Sequence, residues 1–283
     1  MGEPQLLVFT DLDGTLLNHH DYSYEAARPA LDELAARGIP LMIATSKTRA
    51  EVEALRSELS NQHPYLVENG GAVYVPAGYF SYDDAPGEET VLGVPYRQVR
   101  RVLDDLRSRY PWGEHLKGFG DLSAEQVAQL TGLSIDDAAR AKQRASSEPL
   151  QIDQVDGADP AWLTELQRGI ELQGLVSKRG GRFLHVQGAV DKATGVRFLV
   201  DCFVRQFPGR RFVTAALGDS QNDLAMLRAV DHPIVLPRAN RGTPRLDVGR
   251  EDAILPSLSG AQGFREGVEV LLSRVPSARY PLS

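Results

Sequence analysis

Cysteine is almost absent from this sequence: Cys202 is the only one in 283 residues. A single thiol cannot form a disulfide within the chain, which excludes a disulfide-stabilised extracellular scaffold. Long apolar runs are also absent, since no stretch approaches the ~20 residues that a membrane-spanning helix needs. The N-terminal segment MGEPQLLVF lacks the charged head and long apolar stretch of a signal peptide. We therefore expect a cytoplasmic protein that does not bind a membrane.

Basic residues are in deficit. Lys and Arg number 31 against 38 Asp and Glu, which gives a formal net charge of -7. A protein that binds nucleic acid through its phosphates needs a strongly basic surface, so we expect no nucleic-acid partner. The length allows one large domain or two ordinary ones, and nothing in the sequence indicates an oligomeric state.

Apolar runs and helical patterns alternate along the first part of the chain. Short apolar runs at 6–10 and 39–45 predict buried strands, and helical patterns follow at 24–37 and after Thr48. Thr48 and Glu51 form a capping-box pattern at the start of the second helix. The segment YLVENGGAVYVP predicts two strands joined as a hairpin through Gly70-Gly71.

The pattern changes at the acidic stretch 81–90, a candidate linker that contains Gly and Pro. Amphipathic helices follow, two of them with N-cap patterns at Ser123 and Ser134, and then a hairpin that turns at Gly180-Gly181. Strand and helix alternation resumes with a helix at 192–206.

This order predicts an α/β fold. We expect a doubly wound, mainly parallel sheet formed by residues 1–84 and 189–283, interrupted by an inserted α+β domain at residues 85–188.

Acidic and hydroxyl side chains follow several of the predicted parallel strands. In open α/β sheets, ligands bind beyond the carboxyl ends of the strands, so these side chains are expected to meet in one crevice. Four carboxylates in one crevice require a cation, and oxygen ligands favour a hard one such as Mg²⁺. The residues concerned are Asp11, Asp13, Thr45, Ser46, Asp219 and Asp223.

The Asp-x-Asp spacing suggests covalent catalysis. Residues i and i+2 of an extended segment point to the same side, so Asp11 and Asp13 can act on one substrate. One would be the nucleophile and the other a proton donor and later a base. A carboxylate can attack a phosphoryl group whose charge is spread by Mg²⁺ and a lysine, which gives an aspartyl-phosphate.

Four segments, in this order, resemble the motifs of haloacid dehalogenase (HAD)-type phosphatases: DLDGTLL, Thr45-Ser46, Asp191-Lys192 and GDSQND. The position of the insert resembles the cap type called C2. The resemblance implies a Rossmannoid core in which Asp11 is the nucleophile and Asp13 the general acid and base. It implies that Thr45, or Ser46 in its place, binds the phosphoryl group and that Lys192 neutralises its charge.

The same resemblance implies a set of Mg²⁺ ligands. Asp11, Asp13 through its backbone carbonyl and Asp219 would hold the ion, with Asp223 and Asn222 close behind.

The segments TSKTRAEVEAL, ENGGAVYVP and FGDLSAEQVAQLTGLSIDDAARAKQRASSEP are similar to mannosyl-3-phosphoglycerate phosphatases. That similarity implies hydrolysis of a small phosphorylated glycoside, mannosyl-3-phosphoglycerate, to mannosylglycerate, a compatible solute. Such a substrate needs cations for its carboxylate and phosphate and hydrogen-bonding groups for its sugar ring. The candidate substrate-binding residues are Lys47, Arg49, Asn69, Gly70, Gly71, Arg140, Lys142, Arg144 and Glu148.

Other functions stay open on the sequence. A phosphatase of glucosyl-3-phosphoglycerate or sucrose phosphate would use the same core motifs, and a phosphohexomutase-like enzyme carries a similar Asp-x-Asp-Gly-Thr. A non-catalytic module that binds a cation or ligand belongs to a different class.

Overall fold

The computed structural model describes residues 4–152, 161–180, 183–238 and 244–275. Its strands are β1 Gln5–Thr10, β2 Leu41–Ile43, β3 Tyr65–Val67, β4 Ala72–Tyr74, β5 Glu89–Val91, β6 Lys117–Gly118, β7 Ser147–Gln151, β8 Val176–Gly180, β9 Phe183–Gln187, β10 Phe212–Gly218 and β11 His232–Val235. Its α-helices are α1 Arg28–Ala36, α2 Arg49–Glu58, α3 Tyr96–Arg109, α4 Ala124–Thr131, α5 Ile135–Ala141, α6 Leu163–Leu172, α7 Lys192–Gln206, α8 Leu224–Ala229 and α9 Gly260–Arg274.

The described residues form two compact units. The first comprises the described parts of Met1–Thr45, Asn61–Thr90 and Asp191–Ser283, and the second comprises those of Ser46–Ser60 and Val91–Val190. The second unit therefore includes α2, which the sequence analysis assigned to the core. The predicted domain limits, 1–84 with 189–283 and 85–188, stay a prediction.

A four-stranded parallel sheet organises the first unit. Its strand order is β11-β10-β1-β2, and the central β1 is buried along all six residues, as expected of a strand covered on both faces. Helix α1 packs with α9, and α7 packs with α8. The predicted parallel α/β fold is thus confirmed. In the sheet register, Thr10 pairs with Ile43 on one side and Leu217 on the other, so the carboxyl ends of these strands lie side by side.

The predicted hairpin is confirmed. Strands β3 and β4 pair antiparallel, with Tyr65 opposite Tyr74, and the chain between them contains a 3₁₀ turn, Glu68–Gly70. The predicted linker 81–90 is wrong at its end, because β5 begins at Glu89 and joins the β3-β4-β5 sheet. The β-branched Thr90 and Val91 favour this strand.

The second unit is built on an antiparallel sheet of order β6-β7-β9-β8. Its main core combines residues of the sheet with residues of α3 and α6, including Leu103, Leu166, Leu150 and Leu184. Helices α4 and α5 carry a smaller apolar cluster around Phe119. An antiparallel sheet with helices is the α+β arrangement that the sequence predicts. In the predicted hairpin of β8 and β9, Gly181 lies outside the described residues.

The predicted helix caps are present. Thr48 and Glu51 form a reciprocal capping box at the start of α2, and Ser123 and Gln126 form another at α4. The side chain of Ser134 accepts a hydrogen bond from the Asp137 N–H at the start of α5. Among the helices of the described residues, none is both long and apolar enough to cross a membrane.

Thr48 stabilises the second unit beyond its own helix. Its side chain is fully buried, and its Oγ1 donates to the backbone carbonyl of Arg140, 2.9 Å away. We expect Thr48→Ala to lower the free energy of unfolding by about 1–2 kcal/mol, the upper part of the range for a lost N-cap. Urea unfolding curves followed by circular dichroism measure the change.

Ser123→Ala is the matched control, because Ser123 caps α4 near the surface. Its loss is expected near ~0.5–1 kcal/mol, the lower part of the same range. Equal losses in the two variants would show that the bond from Thr48 to Arg140 contributes no stability.

Candidate active site

The sheet register brings the first motif and the GDSQND motif together. Asp11 follows β1 and Asp219 follows β10, the strand that pairs with it. Three residues after Asp11, the chain turns sharply at Gly14, whose φ of +79° suits glycine. A Cβ at this position would lie 2.9 Å from Oδ2 of Asp219, so the turn packs directly against that carboxylate.

Lys192, the first residue of α7, connects two of the carboxylates. Its Nζ donates to Oδ1 of Asp11 over 2.7 Å and to Oδ1 of Asp223 over 2.6 Å. The lysine and Asp223 are fully buried, and Asp11 is nearly so. A buried ammonium is retained only when charged or polar partners satisfy it, and here both partners are carboxylates.

Asp223 also fixes the loop that follows β10. Its Oδ2 accepts hydrogen bonds from the backbone N–H groups of Asp219 and Ser220, at 3.1 and 3.0 Å. Asp223 ends the 3₁₀ turn Gln221–Asp223. One carboxylate therefore binds Lys192 and holds Asp219 in place.

The pKa values of these groups reflect burial and crowded charge. Burial, reinforced by the charge of Asp223, raises the pKa of Asp11 to about 8, although Lys192 opposes the shift. Burial and the same neighbour raise the pKa of Asp219 to about 6. Burial alone would lower the pKa of Lys192, but the charges of Asp11 and Asp223 raise it above its usual value. The negative charge of the cluster exceeds what one lysine balances.

The cluster suits a divalent cation. Asp11, Asp219 and Asp223 each place one carboxylate oxygen within 4.8 Å of the other two. Oδ1 of Asp219 is buried and has no hydrogen-bond partner within the part of the chain that the structure describes. A hard cation would satisfy this oxygen and offset the negative charge of the carboxylates that Lys192 does not balance. Asp13, partly buried, lies close enough for its charge to raise the pKa of Asp11.

Thr45 of the second motif and the β3–β4 turn also belong to the first unit, whereas Ser46 belongs to the second. Thr45 is fully buried, and its carbonyl accepts a hydrogen bond from the N–H of Asn69. Oδ1 of Asn69 accepts a hydrogen bond from Nδ2 of Asn222 over 3.1 Å. The turn therefore contacts both the second motif and the GDSQND loop.

Gly70 and Gly71 serve packing in this turn. Gly71 donates its N–H to the carbonyls of Val67 and Glu68. Gly70 has a φ of +88°, and a Cβ there would lie 2.0 Å from the carbonyl oxygen of Asp191. Asp191 caps the helix that begins at Lys192, so the missing side chain of Gly70 leaves room for the backbone that positions the lysine.

The remaining predicted site residues belong to the second unit. Arg49 is exposed and pairs with Glu53 at 2.6 Å, one helical turn away. Arg140 pairs with Asp137 in the same manner. Nζ of Lys142 donates to the carbonyl of Leu122. Lys47 is partly buried and lies 3.9 Å from Glu51.

Glu148 is fully buried inside the second unit. Its Oε2 accepts a hydrogen bond from the Tyr96 hydroxyl, and its Oε1 accepts one from the N–H of Gly120 at 2.8 Å and lies 3.5 Å from Arg100. Burial raises its pKa. Both oxygens are thus occupied by protein groups, which gives Glu148 a structural role in the described conformation.

Sequence reasoning missed Arg238. Its Nε donates to the backbone carbonyl of Asp219 over 3.2 Å, and its charge lowers the pKa of Asp219 against the effect of burial. Arg238 follows β11, the neighbour of β10 in the parallel sheet. Its position beyond the carboxyl end of the short apolar run at β11 was the signal that could have found it.

Comparisons with known proteins agree with this geometry. Residues 8–91 match the family of haloacid dehalogenase-like hydrolases. The chain is 36% identical over 276 residues to the glucosyl-3-phosphoglycerate/mannosyl-3-phosphoglycerate phosphatase of Persephonella marina, covering 95% of this chain and 98% of the relative. It is 44% identical over 238 residues to the protein of the same name from Methanococcoides burtonii, covering 82% and 85%.

The fold has counterparts among solved structures. A haloacid dehalogenase-like hydrolase from Bacteroides thetaiotaomicron superposes with a TM-score of 0.65 at 20% sequence identity, covering 96% of this chain and all of the other. This likeness supports the fold of a parallel α/β core with an inserted α+β unit.

The packing of Gly70 against Asp191 can be tested with a pair of glycine variants. Gly132 has a similar φ of +82°, but no atom lies within 4 Å of the position its Cβ would take. Gly132→Ala should lose about 1 kcal/mol of stability from backbone strain alone. Gly70→Ala should lose about 1–3 kcal/mol more, because the new methyl group meets backbone. Urea unfolding of the two variants measures the difference, and equal losses would contradict the close approach.

Metal binding at the acidic cluster can be tested by thermal unfolding. A cation that binds only the folded chain stabilises it, by about 2.7 kcal/mol at one hundred times its Kd. We expect Mg²⁺ to raise the melting temperature of the wild type and to lose this effect in Asp219→Asn. The control is Asp252→Asn, an exposed carboxylate paired with Arg250, and it should respond as the wild type does. The same rise in Asp219→Asn, at matched ionic strength, would exclude Asp219 as a ligand.

Proposed function

This chain belongs to the glucosyl-3-phosphoglycerate/mannosyl-3-phosphoglycerate phosphatase family of haloacid dehalogenase-like hydrolases, and we propose that it hydrolyses mannosyl-3-phosphoglycerate to mannosylglycerate and phosphate. Glucosyl-3-phosphoglycerate is the second candidate substrate, because both relatives carry the double name. The single cysteine supports a reducing, cytoplasmic location.

The observation that carries this proposal is the buried Lys192 between Asp11 and Asp223. A phosphoryl group that enters the cluster requires cations to offset its charge and a carboxylate to accept it. Lys192 provides the first, and Asp11 provides the second at the end of β1. In this site Asp11, Asp219 and the backbone carbonyl of Asp13 would hold Mg²⁺, with Asp223 and Asn222 behind them.

In the first step, a carboxylate oxygen of Asp11 attacks phosphorus and the bond to the glycerate oxygen breaks. Lys192 already binds Oδ1 of Asp11, so we assign the attack to Oδ2. Asp13 gives its proton to the departing oxygen, which leaves as the hydroxyl of the glycosylglycerate. Thr45, or Ser46 beside it, binds an oxygen of the transferring group. Mg²⁺, when bound, supplies further neutralisation of phosphoryl charge.

In the second step, water hydrolyses the aspartyl-phosphate. Asp13, now ionised, takes a proton from the water, and the water oxygen bonds to phosphorus as the bond to Asp11 breaks. Asp11 returns as a carboxylate and inorganic phosphate is released. The same aspartate thus serves as acid and then as base. Asp13 is only partly buried.

Residues of the second unit would bind the remainder of the substrate. Lys47 and Arg144, both partly buried, are the cations best suited to a carboxylate. Arg49, Arg140 and Lys142 are also proposed contacts, and binding would require each to exchange its present partner. Glu148 would orient the hydroxyl of Tyr96 toward the substrate. Asn69, Gly70 and Gly71 would contribute as residues of the β3–β4 turn.

Phosphate release from defined substrates tests the proposal. The wild type should release phosphate from mannosyl-3-phosphoglycerate in the presence of Mg²⁺ and lose that activity with a chelator. Glucosyl-3-phosphoglycerate should react as well if the double name of the relatives applies to this chain. Mannose 6-phosphate, which lacks the glycerate, should react at least ten times more slowly, on the order of one lost charged contact.

Asp11→Asn is the decisive variant, because the amide is not a nucleophile. It should abolish turnover and keep the circular dichroism spectrum of the folded chain, because Asp223 still pairs with Lys192. Substantial residual activity of this variant would exclude the aspartyl-phosphate.

The wild-type assay also separates the alternative functions. Reaction of the wild type with mannose 6-phosphate alone would indicate a phosphatase with a different substrate. Activity on a sugar 1-phosphate that requires a bisphosphate activator would indicate a mutase, and inactivity on every phosphate ester would favour a binding module.

A further inference from the structure

One face of the sheet in the second unit carries a group of polar residues beside the apolar Phe183, whereas the other face belongs to the main core. In the register of β7, β9 and β8, Pro149 pairs with His185 and His185 with Lys178. Residues directly opposite in neighbouring strands share a face, as do residues two apart in one strand. Ser147 and Gln187 therefore lie on the same face as His185 and Lys178.

The opposite face is apolar. Leu150, Leu184 and Val186 alternate with the polar residues along β7 and β9 and belong to the main core of the unit. Arg179, the neighbour of Lys178 in β8, is also on this second face by alternation. The polar residues are thus separated from the main core. We call this group the polar sheet face: Ser147, Lys178, His185 and Gln187, of which Lys178 is exposed and Ser147 and Gln187 are buried.

Positive charge lies at this face. Lys178 is exposed and donates to the carbonyl of Val190 over 3.3 Å, which leaves two of its three donors for another group. Nη2 of Arg144 donates to Oγ of Ser147 over 2.7 Å. Burial, together with the charge of Arg144, lowers the pKa of His185 to about 4, so the imidazole is neutral at pH 7. The buried acid Glu148 is in register with Val186, on the core side.

Two buried polar atoms of the face have no hydrogen-bond partner in the described residues. They are Nδ1 of His185 and Oε1 of Gln187. Gln187 is 1% exposed, and its Nε2 donates to the carbonyl of Val190 over 3.0 Å, which fixes the orientation of the amide. Oε1 is therefore an acceptor that needs a donor. Buried polar groups of this kind are normally satisfied, and a ligand hydroxyl would do so.

We propose that the polar sheet face binds a hydroxylated carboxylate, with Lys178 holding the carboxylate and Gln187 accepting a hydrogen bond from a hydroxyl group. The inference rests on the proposed function in one respect: it identifies the ligand as the glycosylglycerate part of the substrate, which has both groups. His185, neutral and beside Arg144, donates or accepts one further hydrogen bond. Neither Lys178 nor Gln187 belongs to any motif of the sequence.

Kinetics with two substrates test this assignment. A glycosyl-3-phosphoglycerate has the carboxylate and the hydroxyls, whereas p-nitrophenyl phosphate has neither. Lys178→Gln and Gln187→Met should each raise the KM for the phosphoglycerate about tenfold relative to that for the aryl phosphate, on the order of one lost hydrogen bond to a charged or buried group. Arg179→Gln is the matched control, since it removes a positive charge from the same strand but the opposite face.

Arg179→Gln should have the same ratio of the two KM values as the wild type. An equal shift in Arg179→Gln would show a general effect of charge and overturn the proposal, as would an unchanged ratio in Lys178→Gln. If Lys178→Gln impairs folding, Gln187→Met, which keeps the net charge, decides the same question.

Direct binding separates this inference from the proposed function. Mannosylglycerate, which carries no phosphate, should bind the full chain in isothermal titration calorimetry and bind Lys178→Gln about tenfold more weakly. This result would support the site even if no phosphoglycerate were hydrolysed. Absence of binding to the wild type, or equal binding to Lys178→Gln, would overturn the inference even if the phosphatase activity were established.

Discussion

The site depends on one interaction, the burial of the Lys192 ammonium between the carboxylates of Asp11 and Asp223. Removing one partner of a buried ion pair leaves an uncompensated charge, which typically costs about 3–5 kcal/mol. The lysine therefore ties three distant parts of the chain together: the end of β1, the start of α7 and the loop after β10. Because all three carry motif residues, the contact that stabilises the first unit also orients the attacking carboxylate.

Lys192 alone leaves the cluster incompletely balanced. Asp11, Asp219 and Asp223 contribute three carboxylates for one ammonium, and burial raises the pKa of both Asp11 and Asp219. A carboxyl group that is protonated is neither a nucleophile nor a good metal ligand. A divalent cation would reverse both effects, because it favours the ionised form of every carboxylate around it. Electrostatics thus joins nucleophile activation to metal binding. Among the described residues, the Lys192 ammonium hydrogen-bonds to Asp11 and Asp223 and not to Asp219.

The sequence was sufficient to predict the parallel α/β fold and to select the residues of the acidic cluster. Buried strands are short continuous apolar runs, and the first charged residue after each run marks its carboxyl end, as Asp11 and Asp219 do. The same logic applies to Arg238, which follows β11, but its contact, a side chain on a backbone carbonyl, matches no motif that would have drawn attention to it. The sequence also did not reveal that Gly70 packs against Asp191, since that contact joins residues far apart in sequence. The site roles themselves stay predictions.

The second unit was harder to interpret because its informative residues depend on strand register. On β8, Lys178 and Arg179 are adjacent basic residues that no pattern distinguishes, yet alternation places them on opposite faces. Glu148 and Arg144 were selected together for their charge, but Glu148 is enclosed by Tyr96, Gly120 and Arg100. A charged residue that is fully satisfied by the protein has little to offer a ligand, whereas Gln187 retains a buried acceptor. Substrate recognition by this unit should therefore depend more on which polar atoms the fold leaves unsatisfied than on the number of charges in the sequence.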